Sequence, residues 1–197
     1  MIRVLASLLL LSLVEVTYGS PVYDQSNTVA PDTGLTVDVH VPIGQSFTPT
    51  LTGLNFVELR MGDLESNGLG GVFNVLIRSG GNTAGPVLGT SQDVTMPDSF
   101  GHTLSFGGLP IRFDFLAPVP LVPGNLYAIQ LSKVSGDLFT LYGRQTDDYA
   151  DGTSILFGVA ISFQDFYFRE GLVVPEPSSF VLAALGLIGL VVLRLRK

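Results

Sequence analysis

Residues 111–131, IRFDFLAPVPLVPGNLYAIQL, contain two short apolar runs separated by a turn. In 111–115 and again in 127–131 every second residue is hydrophobic, which is the period of a strand with one buried face. Between the runs, Pro123-Gly124-Asn125 supplies the residue types that reverse a chain. This stretch therefore predicts two β-strands joined by a turn.

Similar runs continue through residues 20–173. Every second residue is apolar in 35–41 and in 73–77, and the apolar phase shifts by one residue within 54–61, as a β-bulge requires. Glycine and proline clusters separate the runs and give about ten or eleven strands. We therefore predict an all-β fold, an antiparallel β-sandwich of two sheets with a jelly-roll-like arrangement. A closed barrel of about eight strands is the alternative architecture.

Composition places the chain among globular or membrane-associated proteins. Hydrophobic residues make up 46% of its 197 positions, charged residues make up 14%, and cysteine is absent. These values exclude coiled coils, acidic disordered tails and disulfide scaffolds. Residues 20–173 contain fifteen acidic and six basic residues, a net charge of −9. Because such a surface repels phosphate, we predict no nucleic-acid partner.

The first nineteen residues have the pattern of an export signal. Arg3 supplies a positive charge, and an apolar run follows over 4–14. Small residues at Thr17 and Gly19 then fit the positions that signal peptidase reads. We predict a signal peptide over 1–19, cut before Ser20 by signal peptidase.

The C-terminal end has the pattern of a membrane helix. Residues 180–193, FVLAALGLIGLVVL, are apolar throughout, and the basic residues Arg194, Arg196 and Lys197 follow. As a helix this run is about 21 Å long, and flanking residues bring it close to the ~30 Å hydrocarbon core. The positive-inside rule places the basic tip in the cytoplasm, so residues 20–173 lie on the other side of the membrane.

A short proline-rich motif precedes this predicted helix. It consists of Val174, Pro175, Glu176, Pro177 and Ser178, with Ser179 as the last residue before the apolar run. The two prolines prevent helix formation and hold the chain extended. The order of motif (174–179), apolar helix (180–193) and basic tip (194–197) resembles the PEP-CTERM sorting signal of exported bacterial proteins. A plain membrane anchor after a Pro-Glu-Pro linker is the alternative.

The PEP-CTERM resemblance implies a partner and a destination. The partner is an exosortase, a membrane-embedded enzyme that processes the tail near residues 174–178 with its own catalytic cysteine. The protein would be tethered to the inner membrane before processing and would then reach the cell surface or extracellular matrix. Two departures from the usual pattern are Phe180, where tryptophan is common, and Leu195, which splits the basic run.

Sequence patterns for catalysis are lacking. The two histidines, His40 and His102, have no catalytic signature around them, and we expect structural roles for both. No G-x-S-x-G elbow and no G-x-x-x-x-G-K loop occurs in the chain. Aspartates are numerous, but nothing in the sequence pairs them as a glycosidase requires. We therefore predict that the protein is not an enzyme.

An acidic segment is the best local candidate for a metal site. Asp147, Asp148 and Asp151 fall within five residues and precede Gly152. Carboxylates in a loop are the ligands that calcium prefers, although the spacing differs from an EF-hand. The hypothesis is a calcium site that stiffens one end of the sandwich, and the alternative is a solvated turn. We predict no other cofactor.

Aromatic residues near the C-terminus suggest a second candidate surface. Tyr149 and Tyr167 are the proposed rings for stacking on sugars. Tyr167 alternates with Phe166 and Phe168, so it is expected to be exposed if that pair is buried.

These observations favour an exported cell-surface or matrix protein with a structural or adhesive role. A carbohydrate-binding module that acts on exopolysaccharide is the alternative function. A hydrolase is the least favoured class.

Overall fold

The computed structural model describes residues 19–102 and 107–174. Residues 1–18, most of the predicted signal peptide, lie outside this part of the chain, as does the predicted membrane helix over 180–193. Within the described residues, no helix has the length and apolar character needed to cross a membrane. The compact unit that contains the folded domain is Val22–Leu172.

In the described residues, two antiparallel sheets of seven strands each form the domain. The first sheet consists of β1 (Ser20–Asn27), β2 (Thr33–Thr36), β4 (Gly53–Asp63), β8 (Leu109–Pro120), β10 (Phe139–Arg144), β13 (Asp165–Phe166) and β14 (Phe168–Val174). The second consists of β3 (Ile43–Phe47), β5 (Gly71–Ser79), β6 (Val87–Thr90), β7 (Val94–Met96), β9 (Tyr127–Gly136), β11 (Ser154–Leu156) and β12 (Val159–Ile161). The predicted two-sheet antiparallel sandwich is confirmed. The surplus over the predicted number of strands comes from the unpredicted β1 and from predicted runs that divide into short pieces such as β13.

One predicted strand is wrong. The alternating run 35–41 enters the first sheet only as far as Thr36 and then turns into a short 3-10 helix, Val37–Val39. Val37 is fully buried, whereas Val39 is 61% exposed. The backbone N–H of His40 donates to the carbonyl of Val37, which closes the turn. Alternation alone does not distinguish a continuing strand from a turn that buries one valine and exposes the next.

The predicted β-bulge falls where β4, the strand at the centre of the first sheet, pairs with β8. The register between β4 and β8 shifts between Leu54 and Phe56. Before the bulge Leu54 faces the core, and after it Val57 and Leu59 do so. The intervening positions, which include Glu58, face away from the second sheet. The bulge therefore sets which side chains of β4 lie on the outer face of the sandwich.

The C-terminal strands fill a gap between β4 and β10. β10 pairs with β4 only near Met61, and β13 then pairs with β10 at Gly143. The linking residue Tyr167 donates its N–H to the carbonyl of Tyr142, after which β14 pairs with β4. The chain therefore reaches its last described residues from inside the first sheet, with β1 along the other side of β14.

Candidate functional site

The acidic loop predicted to bind calcium does not gather its carboxylates. Asp148 lies 3.3 Å from the guanidinium of Arg144 and forms an ion pair with it. Asp151 accepts a hydrogen bond from the Thr48 hydroxyl through its backbone carbonyl, and Asp147 is exposed. In the part of the chain that the structure describes, no three carboxylate or imidazole side chains are placed to hold a metal ion. The three carboxylates of the predicted calcium site are thus not brought together in the described structure.

A buried aspartate, Asp165, organises this loop. Its Oδ2 atom accepts hydrogen bonds from the backbone N–H groups of Asp148 and Tyr149, each at 2.8 Å. Its Oδ1 atom accepts a third, also at 2.8 Å, from Nε2 of Gln45. Burial raises the pKa of Asp165, and these three donors oppose that rise. The loop points amide N–H groups at a buried anion, whereas a calcium cage would point oxygen atoms at a cation.

Nothing in the sequence analysis marks Asp165 as a site residue. It opens the run DFYFR, 165–169, and reads as an ordinary polar residue at the start of a strand. Its position directly before an apolar run is the only available signal, because a carboxylate beside buried residues needs nearby donors. Those donors come from residues 45, 148 and 149, which only the fold brings together.

The two tyrosines proposed for sugar stacking are both buried. Tyr149 is 7% exposed and Tyr167 is 8% exposed. The ring of Tyr149 packs edge-on against Phe168 at 5.0 Å, and its hydroxyl donates to Oε1 of Gln25 at 2.9 Å. The guanidinium of Arg60 lies over the ring of Tyr167, 5.7 Å from its centroid. The expected exposure of Tyr167 is wrong, because this residue links two strands inside the sheet and an arginine lies over the ring.

A second buried carboxyl group, Glu170, lies near Asp24. The backbone N–H of Gln25 donates to Oε1 of Glu170 at 3.2 Å, and Oε2 has no hydrogen-bond partner among the described residues. Burial, reinforced by the charge of Asp24, raises the pKa of Glu170 to about 8. Burial would also raise the pKa of Asp24, but hydrogen bonds from Leu51 and Thr50 hold it below its ordinary value. The pair is therefore one carboxylate beside one neutral carboxylic acid at neutral pH.

Both histidines have structural surroundings. Nδ1 of His40 lies 2.8 Å from the carbonyl oxygen of Thr36, and its ring contacts the ring of Phe157 at 5.4 Å. Nδ1 of His102 lies 3.2 Å from the backbone carbonyl of Asp63. Among the described residues, neither imidazole forms a hydrogen bond with a hydroxyl or a carboxylate. Neither is therefore arranged with a nucleophile as a catalytic base would be.

The strand that precedes the proline-rich motif is held firmly in the first sheet. β14 pairs antiparallel with β4, with Phe168 opposite Leu59 and Gly171 opposite Phe56. β14 ends at Val174, and the next residue in the sequence is a proline, which has no N–H group to continue a ladder. The last strand of the sheet thus ends at the first residue of the predicted motif, Val174.

The region that begins at the end of β14 matches a known protein-sorting motif. Residues 173–197 match the PEP-CTERM protein-sorting motif. The resemblance seen in the sequence is therefore confirmed. No curated protein matches the chain.

The PEP-CTERM motif implies an exported protein with a membrane-associated C-terminal sorting signal that an exosortase recognises. Of the predicted motif residues, Val174 is the last residue of β14. The others lie outside the described residues, namely Pro175, Glu176, Pro177, Ser178 and the basic residues Arg194, Arg196 and Lys197.

Proposed function

We propose that the protein is a non-enzymatic component of the cell surface or extracellular matrix, with a structural or adhesive role. The observation that carries this proposal is the match of residues 173–197 to the PEP-CTERM motif, which begins where the last strand of a β-sandwich ends. A folded domain followed directly by a sorting signal has the order expected of cargo.

The proposed route has three steps. Signal peptidase removes residues 1–19 after export. The helix over 180–193 then holds the jelly-roll-like sandwich of residues 20–173 at the inner membrane, with the basic tip in the cytoplasm. Finally, an exosortase acts near Val174–Ser178 and the sandwich passes to the surface or to the exopolysaccharide matrix.

The proposal of a non-catalytic role is supported by the use of the polar groups inside the sandwich. Asp165 accepts hydrogen bonds from three donors and organises a loop. The buried Glu170 faces the half-buried Asp24, and both histidines bind backbone carbonyls. These groups act on the protein's own chain, so the adhesive role would depend on its outer surfaces.

A tail variant in the native host tests the delivery step. In the variant, Pro175, Glu176 and Pro177 are all replaced by alanine. We expect the wild-type sandwich to be cut by protease added to intact cells, and the variant to stay in the inner-membrane fraction. The matched control is Glu65→Ala, which removes one acidic charge from an exposed loop of the sandwich and leaves the tail intact.

Equal delivery of the triple variant and the wild type to the cell surface would contradict the proposal. That result would favour the plain anchor, because delivery would then not depend on the Pro-Glu-Pro sequence.

A further inference from the structure

Three arginines lie together on the outer face of the first sheet. Arg169 of β14 is directly opposite Glu58 of β4, and Glu58 is directly opposite Arg112 of β8. Arg60 lies two residues further along β4, opposite Pro110. Directly opposite side chains on neighbouring strands share one face, and diagonal neighbours are about 7–8 Å apart. We call Arg60, Arg112 and Arg169 the basic face.

Each guanidinium of the basic face rests on an aromatic ring. Arg112 lies 4.0 Å from the centroid of Phe56, and Arg169 lies 4.7 Å from that of Tyr23. Arg60 lies 5.7 Å from the centroid of the Tyr167 ring. Stacking of this kind fixes the plane of a side chain that is otherwise flexible, so binding a ligand there costs less conformational entropy.

Two of these arginines keep their terminal amino groups available. Nε of Arg112 donates to Asp114 at 2.7 Å, and Nε of Arg60 donates to the carbonyl of Gly107. Among the described residues, the terminal nitrogens of both side chains have no hydrogen-bond partner. An arginine that is anchored through Nε still has its two terminal amino groups, which together bind a carboxylate in bidentate fashion. The side chain of Arg112 is 32% exposed, so a ligand can reach it.

The basic face contrasts in charge with the rest of the domain. It holds three of the six basic residues of 20–173, a region whose net charge is −9. Two carboxylates form ion pairs with the basic face: Glu58 pairs with Arg169, and Asp114 pairs with Arg112. Arg60 forms no ion pair among the described residues. An anionic ligand is therefore attracted here and repelled by the bulk of the surface.

We propose that the basic face binds an acidic polysaccharide, with uronate carboxylates held by Arg60 and Arg112. Tyr23, which is 43% exposed beside Arg169, adds an aromatic surface for the sugar rings. Nucleic acid fits less well, because its dense phosphate charge would be repelled by the surrounding acidic surface. This inference rests on the proposed function only in that export brings the face into contact with extracellular polymers.

Binding to polygalacturonate, a linear uronate polymer, tests the proposal. The full-length chain is purified in a zwitterionic detergent, and its affinity is measured by biolayer interferometry at physiological salt. We expect the double variant Arg60→Gln and Arg112→Gln to bind at least about tenfold more weakly, because two bidentate, charge-assisted contacts are lost. Equal melting temperatures of the variant and the wild type would show that the fold is intact.

The matched control is Arg78→Gln, on the second sheet. Nε of Arg78 donates to the side chain of Gln130, and one of its terminal nitrogens donates to the carbonyl of Gly85. The substitution therefore removes a positive charge but does not remove a pair of terminal amino groups that is free to bind a carboxylate. We expect its affinity for polygalacturonate to stay within about twofold of the wild type.

Three results would overturn the proposal. The first is that the wild-type chain does not bind polygalacturonate, and the second is that Arg78→Gln weakens binding as much as the double variant does. The third is that polyglutamate or a second copy of the chain occupies the basic face with equal affinity, which would identify the partner as an acidic protein. None of these results alters the delivery of the sandwich to the surface, which the tail variant measures separately.

Discussion

Asp165 and Glu170 lie five residues apart on the same C-terminal stretch, and both are fully buried, yet their surroundings differ. Asp165 receives three hydrogen bonds, two of them from backbone N–H groups of the acidic loop. Glu170 receives one, from Gln25, and faces the negative charge of Asp24. Tyr149 connects the two regions, since its N–H bonds Asp165 and its hydroxyl bonds Gln25.

The contrast shows that burial alone does not decide what a carboxyl group does. Where donors converge, as at Asp165, they oppose the rise in pKa that burial causes, and the group organises the chain around it. Where burial meets few donors and a like charge, as at Glu170 beside Asp24, the pKa rises to about 8 and stability becomes dependent on pH. Two substitutions test this difference.

Replacement of Asp165 by asparagine has the largest expected effect. In the variant, an amide NH2 group would replace one carboxylate oxygen of Asp165 and would face a hydrogen-bond donor. At least one buried donor would then have no acceptor. We expect the free energy of unfolding at pH 7 to fall by about 4 kcal/mol, measured by urea denaturation. Asp147→Asn makes the same chemical change on an exposed residue of the same loop, and it should change stability by less than about 0.5 kcal/mol. A loss at Asp165 no larger than at Asp147 would contradict the organising role.

Replacement of Glu170 by glutamine has a smaller effect that depends on pH. The folded pKa of Glu170, about 8, lies above the ordinary value of 4.5, so folding takes up a proton between these two values. The free energy of unfolding of the wild type should therefore fall as the pH rises from about 5 to 8 and stay low above that.

Glutamine mimics the neutral acid and removes this dependence. We expect Glu170→Gln to match the wild type near pH 5 and to be more stable by on the order of 2 kcal/mol at pH 9, measured by thermal unfolding in both buffers. The exposed Glu65→Gln is the matched control and should follow the wild type at both pH values. Parallel curves for Glu170→Gln and the wild type would show that Glu170 is ionised in the folded protein at neutral pH.

The fold was largely predictable from the sequence, because period-two alternation and turn residues report one buried face directly. The irregular pairing of β4 with β8 was visible in the sequence as a phase shift between Phe56 and Val57, and the register shifts nearby, between Leu54 and Phe56. The run 35–41 misled because its valines alternate while the backbone turns at Val37–Val39. Hydrophobic alternation records which positions are apolar, and hydrogen bonding decides where a strand stops.

The sorting motif was predictable for a different reason. Its parts follow one another along the chain, so residues 174–197 carry the signal in their linear order. The surroundings of Asp165, Glu170 and the basic face depend on residues far apart in sequence, such as Arg60, Arg112 and Arg169. Such sites need the register between strands, which composition and periodicity do not supply.

The central claim is that the sandwich is cargo, which its C-terminal tail delivers to the surface. The measurement that tests it most directly is mass spectrometry of the C-terminal peptide of the protein recovered from the surface and matrix of the native host. We expect a mature C-terminus near residues 174–179, because an exosortase would process the chain at the motif that starts at the end of β14. Recovery of an intact Lys197 on the surface-associated protein would contradict it.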